Sequence, residues 1–211
     1  MIMLQEKEKE DMDQLTNKQR MEQMKNIFVL IGKTGSGKTT VCETLEEKFG
    51  IERVRSFTTR SPRTGEINGK DYYFYDFASV IIMISRGEAI ALRCYTPHIS
   101  FGPYPWYYGF NKRDIEKVEN PLLISDLPGL ESIKEEFPKY NVVSIYLDIA
   151  PNIQKKRLSD RGPEMEQENE RRILADEVDF AEALNIADHI IDGKKNKNTI
   201  AKEIKGIIEN S

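Results

Sequence analysis

The clearest chemistry in this chain lies in eight consecutive residues. Gly32-Lys33-Thr34-Gly35-Ser36-Gly37-Lys38-Thr39 fits the pattern G-x-x-x-x-G-K-[ST]. Glycines permit backbone conformations that other residues avoid, so main-chain N–H groups can approach phosphate oxygens closely. A helix starting after the loop points further N–H groups at the same anion. Lys38 can then reach the β- and γ-phosphates of a nucleoside triphosphate, and the Thr39 hydroxyl can ligate Mg²⁺. Gly32, Gly35, Ser36, Gly37, Lys38, Thr39 and Thr40 are therefore the expected ATP-binding residues, with Mg²⁺ as the expected cofactor at Thr39.

A second cluster lies downstream. The run Ser56-Phe57-Thr58-Thr59-Arg60-Ser61-Pro62-Arg63 places two arginines three residues apart among hydroxyl side chains, and Tyr107-Tyr108-Gly109 follows. An arginine fork matches two phosphate oxygens at once, and tyrosine hydroxyls add directional hydrogen bonds. These residues form a plausible cradle for a phosphate separate from the one on the glycine loop.

The elements that must position these groups follow from periodicity. Ile27 to Ile31 is a short continuous apolar run, as a buried parallel strand requires. Thr39 to Phe49 reads as a helix ended by Gly50. Residues 51 to 77 suit short strands and turns. Val80 to Arg86 fits helix or strand. Residues 94 to 109, with Pro97, Pro103 and Pro105, read as loop or irregular strand. Leu122 to Ser125 and Val142 to Leu147 are strand-like, with a helix from Gly129 to Phe137 between them. Pro151 to Leu184 is helical and charged, interrupted at Arg161-Gly162-Pro163. Ala187 to Ile191 and Thr199 to Ile208 read as a last strand and a last helix. Strands alternating with helices predict an α/β fold with a mainly parallel sheet.

From Ile27 onward the chain resembles the guanylate kinase family. That family carries a run of the form S-x-T-T-R-x-P-R-x-G-E-x-x-G-x-D-Y, which Ser56 to Tyr72 follows almost throughout. The resemblance implies that Ser56, Arg60, Arg63, Tyr72 and Tyr108 hold an acceptor nucleotide, mainly by its phosphate. It also implies a helical lid, because Arg157 and Arg161 precede Gly162 and Arg172 follows. Lid arginines of the family close over ATP and stabilise charge on the phosphoryl group in flight, a task of positioning and positive charge. On this resemblance Lys38, Arg60, Arg161 and Arg172 are the expected catalytic residues, and Arg157 joins the ATP-binding set. Asp126 matches the second of two family aspartates, which in the family helps hold the base; here it is expected to serve alone, either toward the base or toward Mg²⁺.

The pattern departs from the family in three places. Ala91 stands where the family has a glutamate that accepts hydrogen bonds from guanine. Ile124 stands where the family has the first of its two aspartates. The stretch from Arg93 to Trp106 is longer than its equivalent, and Trp106 is expected in the core more than against a base. His98 and His189 lie in different segments and suggest neither zinc nor a nucleophile–base pair.

The 211 residues allow one well-buried domain. A net charge of −4 argues against a nucleic-acid binder working by bulk charge. Cys42 and Cys94 make no disulfide framework, and the longest apolar runs are too short to span a bilayer. The expected location is cytoplasmic. Expected partners are nucleotide substrates, without nucleic acid or membrane, and a homodimer is left open. The charged stretch 1–26 is expected to be helical, either solvated or packed on a partner subunit.

The combined expectation is a P-loop core (27–54, 111–151 and 185–211) with an inserted β-rich acceptor-binding part at about 55–110 and a helical lid at about 152–184. The expected activity is phosphoryl transfer from ATP to a nucleoside monophosphate, GMP or dGMP first. Two alternatives stand beside it. Loss of the guanine-reading glutamate allows a kinase for a different or modified nucleotide. Domains of this kind also occur as non-catalytic binding modules, against which the intact phosphate loop argues.

Overall fold

A computed structural model describes residues 25–96, 105–160 and 166–211. The expected N-terminal helix over 1–26 lies almost wholly outside the described residues, as does Arg161. Strands are β1 (Asn26–Ile31), β2 (Phe57–Thr58), β3 (Tyr73–Phe74), β4 (Ala89–Tyr95), β5 (Trp106–Asn111), β6 (Leu122–Ser125), β7 (Asn141–Asp148) and β8 (His189–Asp192). Helices are α1 (Lys38–Phe49), α2 (Phe77–Ser85), α3 (Lys112–Glu116), α4 (Leu127–Glu136), α5 (Pro151–Ser159), α6 (Glu166–Asp179), α7 (Ala183–Ile186) and α8 (Lys197–Glu209).

The first sheet is wholly parallel, in the order β6-β1-β7-β8. Ile27 to Ile31 is fully buried because β1 has a strand on either side and helices on both faces. Alternation along the strand sorts its residues. Phe28 and Leu30 pack with Val41, Leu45, Ile200 and Ile204 of α1 and α8. Ile27, Val29 and Ile31 face the other way, with Leu130 and Ile133 of α4. Each such burial contributes about 1.5–3 kcal/mol. This core holds the carboxyl end of β1, and so the start of the phosphate loop, in a fixed place.

The second sheet has the order β3-β2-β5-β4. Strands β2 and β3 are parallel, while β5 runs antiparallel to both β2 and β4. Gly109 lies where β5 crosses the Phe57 ring. A Cβ there would fall 2.8 Å from Phe57 Cζ and 3.0 Å from the Ile90 carbonyl oxygen.

Two local expectations are resolved. Val80 to Ser85 belongs to helix α2, with Arg86 its C-cap and Asp76 the N-cap that accepts from Ser79 N. The proline-bearing stretch 94–109 is not irregular throughout: β4 and β5 pair as an antiparallel hairpin around it. The prolines all fall at 97, 103 and 105, between the paired strands, so they cost the ladder no hydrogen bond. Among the described residues no helix is long and apolar enough to cross a membrane.

Candidate active site

The phosphate loop joins β1 to α1. Gly37 is the N-cap of α1 with φ +101°, a conformation that L side chains rarely adopt. It makes no side-chain cap, so the first-turn N–H groups of α1 open toward the loop. Ser36 is buried beneath the loop, while Thr39 and Thr40 are exposed at its rim. Lys38 Nζ folds back onto the loop, donating to the Gly32 carbonyl, to the Lys33 carbonyl at 3.0 Å and to Ser36 Oγ at 3.4 Å. Desolvation pushes the Lys38 ammonium down to about 8, with the Asp176 carboxylate opposing the shift and Arg172 adding to it.

Two side chains from the distant α5–α6 region brace this loop. Asp176 of α6 accepts from Thr34 N at 2.7 Å and from Gln154 Nε2 of α5 at 2.6 Å. Burial raises the Asp176 carboxyl, and the Thr34 amide and Lys38 pull it partly back. Arg157 of α5 donates through Nη1 to the Gly35 and Ser36 carbonyls at 3.3 and 3.0 Å, and through Nη2 to the Gly193 carbonyl at 3.0 Å. Its guanidinium thus clips the outside of the loop to the turn after β8.

The arginine-rich run folds back on itself beside β2. Arg60 is 5% exposed. Its Nη1 and Nη2 both donate to the Glu66 carboxylate at 2.9 Å, and its Nε donates to Tyr108 Oη at 3.2 Å. Arg63 N donates to the same carboxylate at 2.7 Å. Burial alone would raise the Glu66 carboxyl, but the bonds from Arg60 and Arg63 hold it below its ordinary value. The Arg63 side chain makes no hydrogen bond among the described residues. Desolvation lowers it first, and the nearby charges of Arg60 and Arg172 add to that. Tyr72 lies against Tyr108 edge to face, with centroids 6.0 Å apart.

At the far end, Asp126 caps α4 by accepting from Gly129 N at 2.9 Å. Its other oxygen accepts from Arg93 Nε at 2.8 Å and Tyr95 Oη at 3.1 Å. Ala91 sits in the β4 bulge with φ +47° and is buried. Trp106 is partly buried and lines this end of the cleft with Tyr108 and Phe180, so its ring belongs to a cavity wall and not to the core.

Two cavities result, and they share walls. One is lined by the loop residues Gly35, Gly37, Lys38, Thr39 and Thr40 together with Arg63 and Glu66. The other is lined by Ala91, Arg93, Tyr95, Tyr108, Asp126 and Asp176. Lys38, Ser56, Tyr72, Ile124 and Arg172 line both. The tertiary structure therefore gathers Lys38, Ser56, Arg63, Tyr72, Tyr108, Asp126 and Arg172 around one cleft. Arg60 stands behind Tyr108, and Arg157 stands behind the loop.

Sequence reasoning missed Arg93, Gln154 and Asp176. Asp176 and Thr34 are 142 residues apart, and no local spacing announces their contact. Glu66 was within reach, because it lies three residues after Arg63 in the run already singled out.

The guanylate kinase family model matches residues 24–211. A guanylate kinase of Clostridioides difficile (strain 630) is 33% identical over 189 residues, covering 86% of each chain. One of Nitrosomonas europaea is 29% identical over 193 residues, 88% of this chain and 90% of that protein. The crystal structure of guanylate kinase from Anaplasma phagocytophilum superposes with a TM-score of 0.60 at 26% identity, over 89% of this chain and 86% of that one. With the family model matching residues 24–211 and a relative 33% identical over 86% of each chain, the chain belongs to the guanylate kinase family.

Proposed function

We propose that this protein transfers the γ-phosphate of ATP to a nucleoside monophosphate, with GMP or dGMP as the acceptor. The observation that carries this reading is the shared wall. Lys38 and Arg172 line both the cavity at the phosphate loop and the cavity beside Ala91 and Tyr108, so two anions in the two cavities would meet between them.

Phosphoryl transfer asks the protein for alignment and for positive charge where charge spreads in the transition state. The loop amides and Lys38 would hold the β- and γ-phosphates. Arg63, Ser56 and Tyr72 would hold the acceptor phosphate. Arg60 would place Tyr108 through the Nε bond while remaining fixed by Glu66. Arg172 would neutralise the group in transit, joined by Arg161. The part around 55–110 would move with the acceptor, and 152–184 would close over ATP and exclude water.

The residues present fit Mg²⁺ in the mode this ion prefers, with few protein ligands and several from phosphate and water. No cluster of three acidic, cysteine or histidine side chains stands ready to cage it among the described residues. Ile124 is apolar, and both Asp126 oxygens already accept hydrogen bonds. The Thr39 hydroxyl, exposed at the loop rim, would hold the ion. Bound there, Mg²⁺ supplies charge neutralisation of the β- and γ-phosphates.

The test is ADP formation with ATP and Mg²⁺ against GMP, dGMP, AMP, CMP, UMP and dTMP, with Lys38→Ala as control. Transfer to GMP or dGMP that vanishes in the control supports the reading. ATP binding without transfer to any monophosphate overturns it in favour of a binding module.

A further inference from the structure

We infer that Arg93, held by Asp126, reads the acceptor base, and that it reads guanine through O6 and N7. This rests on the proposed acceptor site, and it concerns which edge of the base the protein recognises.

The cavity beside Tyr108 contains no free carboxylate at position 91, only the Ala91 methyl. Asp126 is already largely engaged, with three donors on its two oxygens. Its Oδ1 accepts from Gly129 N, and its Oδ2 accepts from both Arg93 Nε and Tyr95 Oη. A carboxylate oxygen with two donors has used both its lone pairs. The Arg93 guanidinium lines the same cavity, beside Asp126 and Asp179. Its Nε is fixed by Asp126, and its Cζ lies 5.7 Å from the Tyr95 ring centroid. Asp179 Oδ2 is 3.7 Å from Nη2, too far for a hydrogen bond. The η nitrogens therefore retain donors, and arginine has no acceptor to offer.

A fork of parallel donors selects a base with two adjacent acceptors. Guanine presents O6 and N7 side by side. Adenine presents an amino group beside N7, which sets donor against donor. Uracil and thymine alternate O4, N3–H and O2, so no two acceptors adjoin. Cytosine has O2 and N3 adjacent, which makes CMP the informative competitor. The aromatic wall of Tyr95, Trp106, Tyr108 and Phe180 suits a purine-sized ring system.

The experiment measures dissociation constants by calorimetry for dGMP, 7-deaza-dGMP, dIMP and dCMP with the full-length protein, beside transfer rates for the same four. Removing N7 should weaken binding about tenfold to a hundredfold, the range of one bidentate contact. Removing the 2-amino group in dIMP should change it less than about threefold, since a fork on O6 and N7 does not touch that group. In Arg93→Lys the dGMP and 7-deaza-dGMP constants should converge, because an ammonium keeps the charge but not the fork. Equal affinity for dGMP and 7-deaza-dGMP with poor dIMP binding overturns the inference and leaves the kinase reading standing. Tighter binding of dCMP than dGMP, or no binding of any of the four, also overturns it. Binding in the expected order without transfer supports the base contact while refuting the kinase.

Discussion

The Asp176 carboxylate of α6 accepts from the backbone amide of Thr34 in the phosphate loop at 2.7 Å. An acid that is 8% exposed thus ties the C-terminal helices to the ATP site. Asp176→Leu leaves the Thr34 amide and the Gln154 amide without an acceptor. Its expected cost is about 2–4 kcal/mol in urea unfolding, one desolvation penalty for each donor. Asp176→Asn keeps an acceptor for Thr34 and should lose much less. The pH dependence separates charge from shape. Burial raises this carboxyl above its ordinary 3.8, so the folded protein holds the proton more tightly than the unfolded chain. Stability from this group is therefore fullest at low pH and declines as pH rises through the folded value. Asp176→Asn should gain on the wild type across that window. Parallel pH–stability curves for the two proteins would refute this assignment.

Lys38 makes the opposite demand. Its folded value near 8 lies below its ordinary 10.5, so its charge opposes folding at neutral pH and the penalty fades as pH climbs from about 8. Lys38→Met should melt no lower than wild type at pH 7 while transfer falls by at least about a hundredfold. ATP favours the charged form, so ATP binding to the wild type should take up protons at pH 8.5 and weaken above it. Calorimetry in two buffers of different ionisation enthalpy reads that uptake directly. The same uptake in Lys38→Met would assign it elsewhere.

Glu66 is expected to matter for stability before it matters for chemistry. Both Arg60 η nitrogens and the Arg63 amide converge on its carboxylate. Glu66→Gln removes one charged acceptor from a buried guanidinium and should cost about 2 kcal/mol by thermal or denaturant unfolding. The Glu66 contribution is present above its ordinary 4.5 and is lost as pH falls through its lowered folded value. The variant should also raise KM for the acceptor more than KM for ATP, since Arg60 carries Tyr108. Equal rises in the two constants would contradict a role confined to the acceptor side.

Arg157 braces the loop from behind with three hydrogen bonds to carbonyls. Arg157→Met should raise KM for ATP about tenfold, leave KM for the acceptor near its wild-type value, and lower stability by about 1–3 kcal/mol. A fall in kcat alone, with unchanged stability, would instead place this guanidinium on the reacting phosphates.

The sequence by itself determined the parts of this protein whose physics is local. A glycine loop between an apolar run and a helix is legible because the loop, its strand and its helix adjoin in the chain. The arginine run is legible for the same reason through Arg60 and Arg63, whereas the closure of Glu66 on both, within six positions, came from the structure. Periodicity gave β1, β6 and β7 because a strand buried on both faces must be apolar throughout. What lay beyond reach was every relation set by long loops. The β4–β5 hairpin was obscured because its prolines fall in the connection and not in the strands. Asp176 reaches Thr34 across 142 residues, and Arg93 meets Asp126 across 33. Only the tertiary structure decides such pairs, because their energies depend on burial and orientation that chain packing creates. The absence of a carboxylate at Ala91 was plain in the sequence. That Arg93 lines the same cavity as Ala91, tethered to Asp126, became visible only in the fold.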